Sequence, residues 1–293
     1  MADVLLGAVE AGGTKTVVAV GTGPDDIRAT ARIPTTTPDE VARAMLDFFR
    51  SQPAAAAFGV GSFGPVRLDP AAPDHGRLLA TPKPGWSGAS FSAPLIDAFG
   101  VPVAIDTDVN AAALGEHRHG AAKGTRVAAY MTIGTGVGVG MVVEGRPLHG
   151  ALHPEFGHIR LARAADDRDF AGSCRYHGDC FEGLAAGPAI LARWGHSLDR
   201  LGAAERAQVA DYIGQGCAAL ALALSAQVIV LGGGVTATPG LREAAALRMR
   251  HWLGGYLEEL APPLVAPGLG ERAGIVGALE LARDCLAGAS STA

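Results

Sequence analysis

Short apolar runs come in pairs around glycine turns. Leu5–Val9 and Thr16–Val20 flank Gly12-Gly13-Thr14-Lys15, and Val127–Ile133 and Val139–Val143 flank Gly134-Thr135-Gly136-Val137-Gly138. Runs of this length bounded by glycine predict strands, and each pair predicts a strand–turn–strand unit. Further strands are predicted at Phe58–Gly61, Val101–Ile105 and Val228–Leu231. Between them the pattern changes to a helical period. Thr37-Pro38-Asp39-Glu40 supplies an N-cap, a proline at the first helical position and a capping-box glutamate, and Val41, Met45, Phe48 and Phe49 then share one face. Helices are also predicted over Val109–His117 and Ala203–Leu224, after Thr238-Pro239, and over Glu280–Ala287. The Pro- and Gly-rich segment Leu68–Gly88 predicts a long irregular loop, and His149–Gly187 a second loop-rich region. Strands alternating with helices favour an α/β class. The recurrence of the glycine hairpin points to two related halves.

Glycine lets backbone N–H groups approach an anion, and neighbouring hydroxyls add donors. Two such turns about 120 residues apart suggest two domains, each presenting a loop to one phosphate chain. The competing reading is a pair of ordinary strand turns, in a chain with 41 glycines. Neither turn is a standard phosphate motif. Gly7–Gly12 has the opening spacing of a P-loop, but Gly13 stands where lysine is required, and a strand follows instead of a helix.

Composition narrows the classes. The 293 residues are 48% hydrophobic and 18% charged, enough for one large or two medium domains with a sizeable core. A net charge of −5 and no run of basic residues argue against a nucleic-acid partner. The start, Met1-Ala2-Asp3, lacks the basic region of a signal peptide. The longest apolar stretch, Cys217–Leu224, is too short to span a bilayer. Four cysteines do not make a disulfide scaffold. The expectation is a cytoplasmic protein with no membrane partner.

Three constellations carry candidate chemistry. Asp106-Thr107-Asp108 ends a strand just before a helix, the end at which ligands bind in open α/β sheets. A carboxylate there can accept a proton from a substrate hydroxyl, or either aspartate can simply cap the helix. Cys174-x-x-His177-x-x-Cys180 offers three metal ligands in seven residues, with His158 or His153 as a fourth, a set that suits structural Zn²⁺. The alternatives are a Cys174–Cys180 disulfide or unbound surface residues. Glu155 and Glu182 flank this set and are candidates for hydrogen bonds to vicinal sugar hydroxyls. Lys15 reads as a phosphate ligand or a solvated lysine, and Trp86 as lid or core. Cys217 and Cys285, in apolar helical surroundings, read as core residues.

Taken in order, Glu10-Ala-Gly-Gly-Thr-Lys15, Asp106-Thr-Asp-Val-Asn110, Gly134-Thr-Gly-Val-Gly138, Glu155-Phe-Gly-His158, Cys180-Phe-Glu182 and Leu231-Gly-Gly-Gly234 resemble the ROK sugar kinases over essentially the whole chain. The resemblance is strongest to bacterial fructokinases, through Glu10, Thr81-Pro82-Lys83 with Trp86, and the Cys-x-x-His-x-x-Cys loop. It implies an actin-like ATPase (ribonuclease H-like) fold, with two α/β domains, residues 1–107 plus 276–293 and residues 108–275, around an interdomain cleft that closes on the sugar. It implies ATP and Mg²⁺, with Asp108 as general base. Thr107, Glu155, His158 and Glu182 become sugar contacts, and His158 is also a zinc ligand. Gly12, Gly13, Thr14, Lys15, Gly134, Thr135 and Gly136 become phosphate contacts. Gly232, Gly233 and Gly234 fall on the adenosine side, and Glu10 reaches Mg²⁺ through water. A hexose acceptor and a homodimer are implied as well. Fructose is the expected hexose, with glucose, mannose and N-acetylhexosamines as alternatives. Thr107 stands where many relatives have asparagine, and Glu10 where aspartate is commoner. The family also contains sugar-responsive repressors with an N-terminal DNA-binding segment. The acidic charge and the nine residues before Glu10 favour a kinase, and Asp108 favours it over a sensor without activity.

Overall fold

Two sheets built to the same plan organise the chain. The computed structural model describes residues 4–164, 167–256 and 258–291. The Met1-Ala2-Asp3 start and the last two residues of the expected first domain lie outside the described residues. In the first sheet β1 (Leu6–Ala11), β2 (Lys15–Gly23) and β3 (Asp26–Pro34) form an antiparallel meander, and β4 (Phe58–Ser62) and β5 (Val103–Thr107) join in parallel, giving the order β3-β2-β1-β4-β5. In the second sheet β6 (Val127–Ile133), β7 (Val137–Val143) and β8 (Arg146–Pro147) form the meander. There β9 (Val228–Gly232) and β10 (Leu264–Val265) join in parallel, giving β10-β9-β6-β7-β8. The two orders are the same topology repeated, which is the physical content of the two related halves.

Helices fill the equivalent crossovers. In the first half α1 (Pro38–Arg50) and α2 (Ser92–Phe99) precede β4 and β5; α3 (Asp108–His119) follows β5. In the second half α4 (Phe181–Ala185), α5 (Gly187–Trp194), α6 (Ala203–Leu224) and α7 (Leu241–Leu253) lie between β8 and β10, and α8 (Ala273–Ser291) closes the chain. The capping box of α1 forms, and Val41, Met45 and Phe49 turn into the core. Trp86 is core: it is 1% exposed, its indole N–H donates to the Thr36 carbonyl (2.8 Å), and its ring stacks on Phe91. Cys217 is fully buried and Cys285 half-buried.

Two expected boundaries move. The helix after Thr238-Pro239 starts at Leu241, because Gly240 adopts a left-handed φ of 78° and forms its N-cap. The last helix begins seven residues before Glu280, at Ala273. Its first turns carry Gly274 and Gly277, which lower helix propensity but are where α8 crosses α3. A Cβ at Gly277 would fall on the Ala111 carbonyl, one at Gly115 on the Ala273 carbonyl, and one at Gly140 of β7 on the Val109 carbonyl. The start of α3 is thereby pressed between the two sheets. Backbone cannot yield as a side-chain tip can, so overpacking outweighs the gain in propensity. Gly277→Ala is expected to cost about 1–3 kcal/mol in urea unfolding. Gly288→Ala, in the same helix with nothing within 4 Å of its Cβ, is expected to be neutral or stabilising by up to about 1 kcal/mol.

Candidate active site

The first glycine turn joins β1 to β2. Gly12 N–H donates to the Lys15 carbonyl (2.9 Å) and the Thr35 hydroxyl donates to the Gly12 carbonyl (2.9 Å), while Gly13, Thr14 and Lys15 face solvent. Lys83 reaches the turn from the irregular loop and donates its ammonium to the Gly13 carbonyl at 2.7 Å. Glu10, at the end of β1, accepts from the Ile275 N–H at the start of α8. Burial raises its pKa, and the nearby Lys15 ammonium opposes that rise.

At the end of β5 the roles divide between three neighbours. Thr107 is the N-cap of α3, its hydroxyl accepting from Asn110 N–H (3.1 Å), so the capping role weighed for the aspartates falls to the residue between them. Thr107 is 3% exposed. Asp106 is buried; it accepts from Thr107 N–H (2.7 Å) and the Asn110 amide (2.8 Å), and its other oxygen meets His149 Nε2 at 2.9 Å. That hydrogen bond raises the His149 pKa. Asp108 takes no part in capping; its carboxylate accepts from Val109 N–H (2.9 Å). Desolvation pushes its pKa up to about 7, helped by the charges of Glu10 and Glu155. The next residue, Val109, packs its side chain under Gly138 of the second hairpin. Asp108 therefore sits beside the second hairpin, and near enough to Glu10, at the end of the strand that enters the first turn, to feel its charge.

The second turn is closed by Gly134 N–H to the Gly136 carbonyl (2.9 Å). The Gly134 carbonyl accepts from Gly187 N–H at the start of α5 (2.8 Å). Glu182 accepts from Val137 N–H (3.1 Å), so its carboxylate braces this turn while also facing Glu155. Gly233 follows β9 with φ 92°, and a Cβ there would fall on the Ile133 backbone; both constraints demand glycine. A cavity of about 590 Å³ opens beside Gly134, Thr135, Pro188, Leu191, Gly234 and Thr238, a size and mixed lining suited to a nucleoside. Just before Gly234, the Gly232 and Gly233 carbonyls accept from the Thr236 hydroxyl.

The loop after β8 supplies the remaining residues. His153 is buried and its Nε2 accepts from Val66 N–H (3.1 Å), which assigns the ring proton to Nδ1, 3.5 Å from Glu155. His153 is therefore not the fourth ligand. His158, Cys174, His177 and Cys180 converge, with all four ligand atoms within 4.8 Å of one another. His158 Nδ1 lies 3.5 Å from Cys180 Sγ and 3.7 Å from Cys174 Sγ, and His177 Nδ1 lies 3.7 Å from Cys174 Sγ. A tetrahedron of two thiolates and two imidazoles around zinc has edges of about 3.4–3.8 Å; these three sulfur–nitrogen distances fall in that range, and the donor types suit that metal. Cys174 and Cys180 are free thiols, which removes the disulfide alternative. The other ring nitrogen of His158 faces Glu155 at 3.9 Å, linking the cluster to that glutamate.

A family model described as the ROK family matches residues 6–285. The chain belongs to the ROK family. Among ROK relatives it is 44% identical to a putative fructokinase of Bacillus subtilis, over 96% of each chain. It is 42% identical to the fructokinase of Zymomonas mobilis, covering 95% of this chain and 96% of that one. The crystal structure of a ROK hexokinase from Thermus thermophilus superposes with a TM-score of 0.78 at 30% identity, covering 95% of this chain and 98% of that one. The actin-like fold expected from the sequence is the ROK fold. Two contacts in this ROK site escaped the sequence reading: the His149–Asp106 pair and the Lys83 ammonium on the first turn.

Proposed function

We propose that this chain is an ATP-dependent fructokinase, converting D-fructose and ATP to D-fructose 6-phosphate and ADP. The observation that carries the reading is Asp108, a carboxylate held near neutral pKa beside the second glycine turn, where it feels the charges of Glu10 and of the sugar-loop glutamate Glu155. The full-length similarity to fructokinases supports the choice of hexose. Asp108 orients the attacking hydroxyl and takes its proton as the oxygen–phosphorus bond forms and the bond to the ADP oxygen breaks. Gly12, Gly13, Thr14 and Lys15 hold the phosphate chain from the first sheet, and Gly134, Thr135 and Gly136 from the second. Gly232, Gly233 and Gly234 flank the adenosine. Thr107, Glu155, His158 and Glu182 hold the sugar. Mg²⁺ carried with the nucleotide would neutralise phosphate charge, and Glu10 would hold it through a water.

The same proposal includes zinc on His158, Cys174, His177 and Cys180. Burial pushes the Cys180 thiol up to about 11, and a coordinated dication is what would hold it as thiolate. It also includes two bodies, residues 1–107 plus 276–293 and 108–275, closing on the sugar, and a homodimer in the cytoplasm. Among the described residues no helix is long and apolar enough to cross a membrane.

A panel of hexoses with ATP, ranked by kcat/KM, tests the hexose. Fructose is expected to lead glucose and mannose by at least tenfold, because a pocket built to pair each hydroxyl leaves a polar group unpaired with the wrong isomer. Equal or better turnover of glucose would reassign the substrate.

A further inference from the structure

The chain carries only three lysines, Lys15, Lys83 and Lys123, against 21 arginines. Two of the three meet at the first glycine turn: Lys15 belongs to it, and Lys83 reaches it from a loop 70 residues away in sequence. Among the described residues no ion pair engages Lys15 or Lys83, whereas arginines supply most of the others. Positive charge at this turn therefore has no salt-bridge partner among the described residues, with the buried Glu10 carboxylate as the nearby counter-charge to Lys15.

The base of the Lys83 side chain is held firmly. Trp86 is sunk in the core with its N–H on the Thr36 carbonyl, its backbone N–H donates to the Lys83 carbonyl (3.3 Å), and Thr81 N–H donates to the Ser87 hydroxyl (3.2 Å). The ammonium itself has only the neutral Gly13 carbonyl, at an exposed turn tip with nothing within 4 Å of a Cβ placed there. An ammonium has three protons to donate and gains more from an anionic oxygen than from a carbonyl. A flexible four-carbon stem on a fixed loop can swing from one to the other; a planar guanidinium fork is less suited to that short transfer.

We propose that Lys83 is a catalytic residue that leaves the Gly13 carbonyl to bind the γ-phosphoryl oxygens of the nucleotide as the phosphoryl group transfers. The proposal rests on the kinase reading and extends it. The choice of phosphate follows from topology: the nucleoside-sized cavity opens on the second sheet, beside Gly134 and Gly234, whereas Lys83 and Gly13 belong to the first. The phosphate that reaches Lys83 is the one farthest from the adenosine and nearest Asp108.

The test pairs binding with turnover in Lys83→Met and Lys83→Arg, with Lys123→Met as a control of equal charge change. Affinities for Mg²⁺-loaded ADP and for its non-hydrolysable triphosphate analogue are measured by titration calorimetry. Lys83→Met is expected to weaken the triphosphate about tenfold, leave ADP within twofold, and lower kcat about 100-fold with the fructose KM unchanged, as for loss of one preorganised donor to developing charge. Lys83→Arg is expected to recover part of the triphosphate affinity but not the rate. Equal loss of ADP and triphosphate binding would overturn the proposal by making Lys83 a brace for the turn, and so would kcat within threefold of wild type. A wild-type protein that binds the triphosphate but phosphorylates no hexose would refute the kinase reading, and the two nucleotide affinities would still decide the role of Lys83.

Discussion

Asp108→Asn is expected to lower kcat by about 100- to 10,000-fold, the range for removal of a positioned general base, with the fructose KM nearly unchanged. Asparagine keeps the shape and the acceptor for Val109 N–H (2.9 Å) but cannot take a proton. The wild-type pH profile carries the same argument. A base must be ionised to act, and desolvation with the charges of Glu10 and Glu155 pushes Asp108 up to about 7. The kcat/KM of the wild type is therefore expected to fall about tenfold per unit as pH drops below about 7. An ordinary aspartate would keep the rate flat to about pH 4.

Stability moves the other way. With its folded pKa above the unfolded value, wild-type Asp108 holds a proton between about pH 4 and 7 that the unfolded chain has released, so stability falls as pH rises through that window. Asp108→Asn escapes the loss, and its melting temperature is expected to equal wild type near pH 4 and to exceed it at pH 8. The ceiling is on the order of a few kcal/mol. An Asn variant with near-normal turnover, or one that is less stable at pH 8, would remove Asp108 from the role of base.

How much of this was legible beforehand depended on whether the signal was local. Hairpin β6–β7 and helix α6 begin and end within two residues of where the apolar pattern put them, because alternation, glycine and burial agree there. The capping box of α1 is a four-residue signal, and it forms. The cluster of His158, Cys174, His177 and Cys180 was readable because three of its four residues fall within seven positions. Choosing His158 over His153 was not: it depends on Val66 N–H, 87 residues away, capturing His153. Thr107 as the cap, rather than Asp106, follows from the buried pull of Asn110 and His149 on Asp106. The early start of α8 was hidden because Gly274 and Gly277 look like helix breakers until the α3 backbone beside them is seen. Lys83 stood out as part of Thr81-Pro82-Lys83, but its target, Gly13, is a tertiary fact. The strand β3 and the helix α2 went unnoticed: β3 alternates, but its inward face is only half-buried and carries two alanines, and α2 is only eight residues long.

Removing the metal is expected to cost about 10- to 100-fold in kcat/KM, carried mainly by a higher KM for fructose, the scale seen when the support of a metal site is disturbed. Among the described residues of 159–180 the backbone pairs only in isolated bridges at Arg160–Cys180 and Cys174–Gly178; Arg160 and Arg163 pair with Asp179, and Gln215, Tyr212 and Arg193 anchor Ala162 and Asp167 to α6 and α5. Gly172 and Gly178 carry left-handed φ values of 83° and 61°, turns that glycine admits without steric cost. Two residues tie this segment to the proposed sugar contacts. His158 faces Glu155 at 3.9 Å, and Glu182, two positions past Cys180, braces the second glycine turn through Val137 N–H. Because metal binding is coupled to folding of its loop, losing the ion is expected to release Glu155, His158 and Glu182 together. The preparation to compare is native protein against protein dialysed with a chelator, alongside Cys174→Ser, with zinc counted by mass spectrometry. The native chain is expected to hold one zinc, the treated samples none, and the region 159–180 to become the first site of proteolytic cleavage. Restoring Zn²⁺ to the dialysed protein, but not to Cys174→Ser, is expected to return the fructose KM. A zinc-free protein with the native KM would show that the cluster is not what holds the sugar loop.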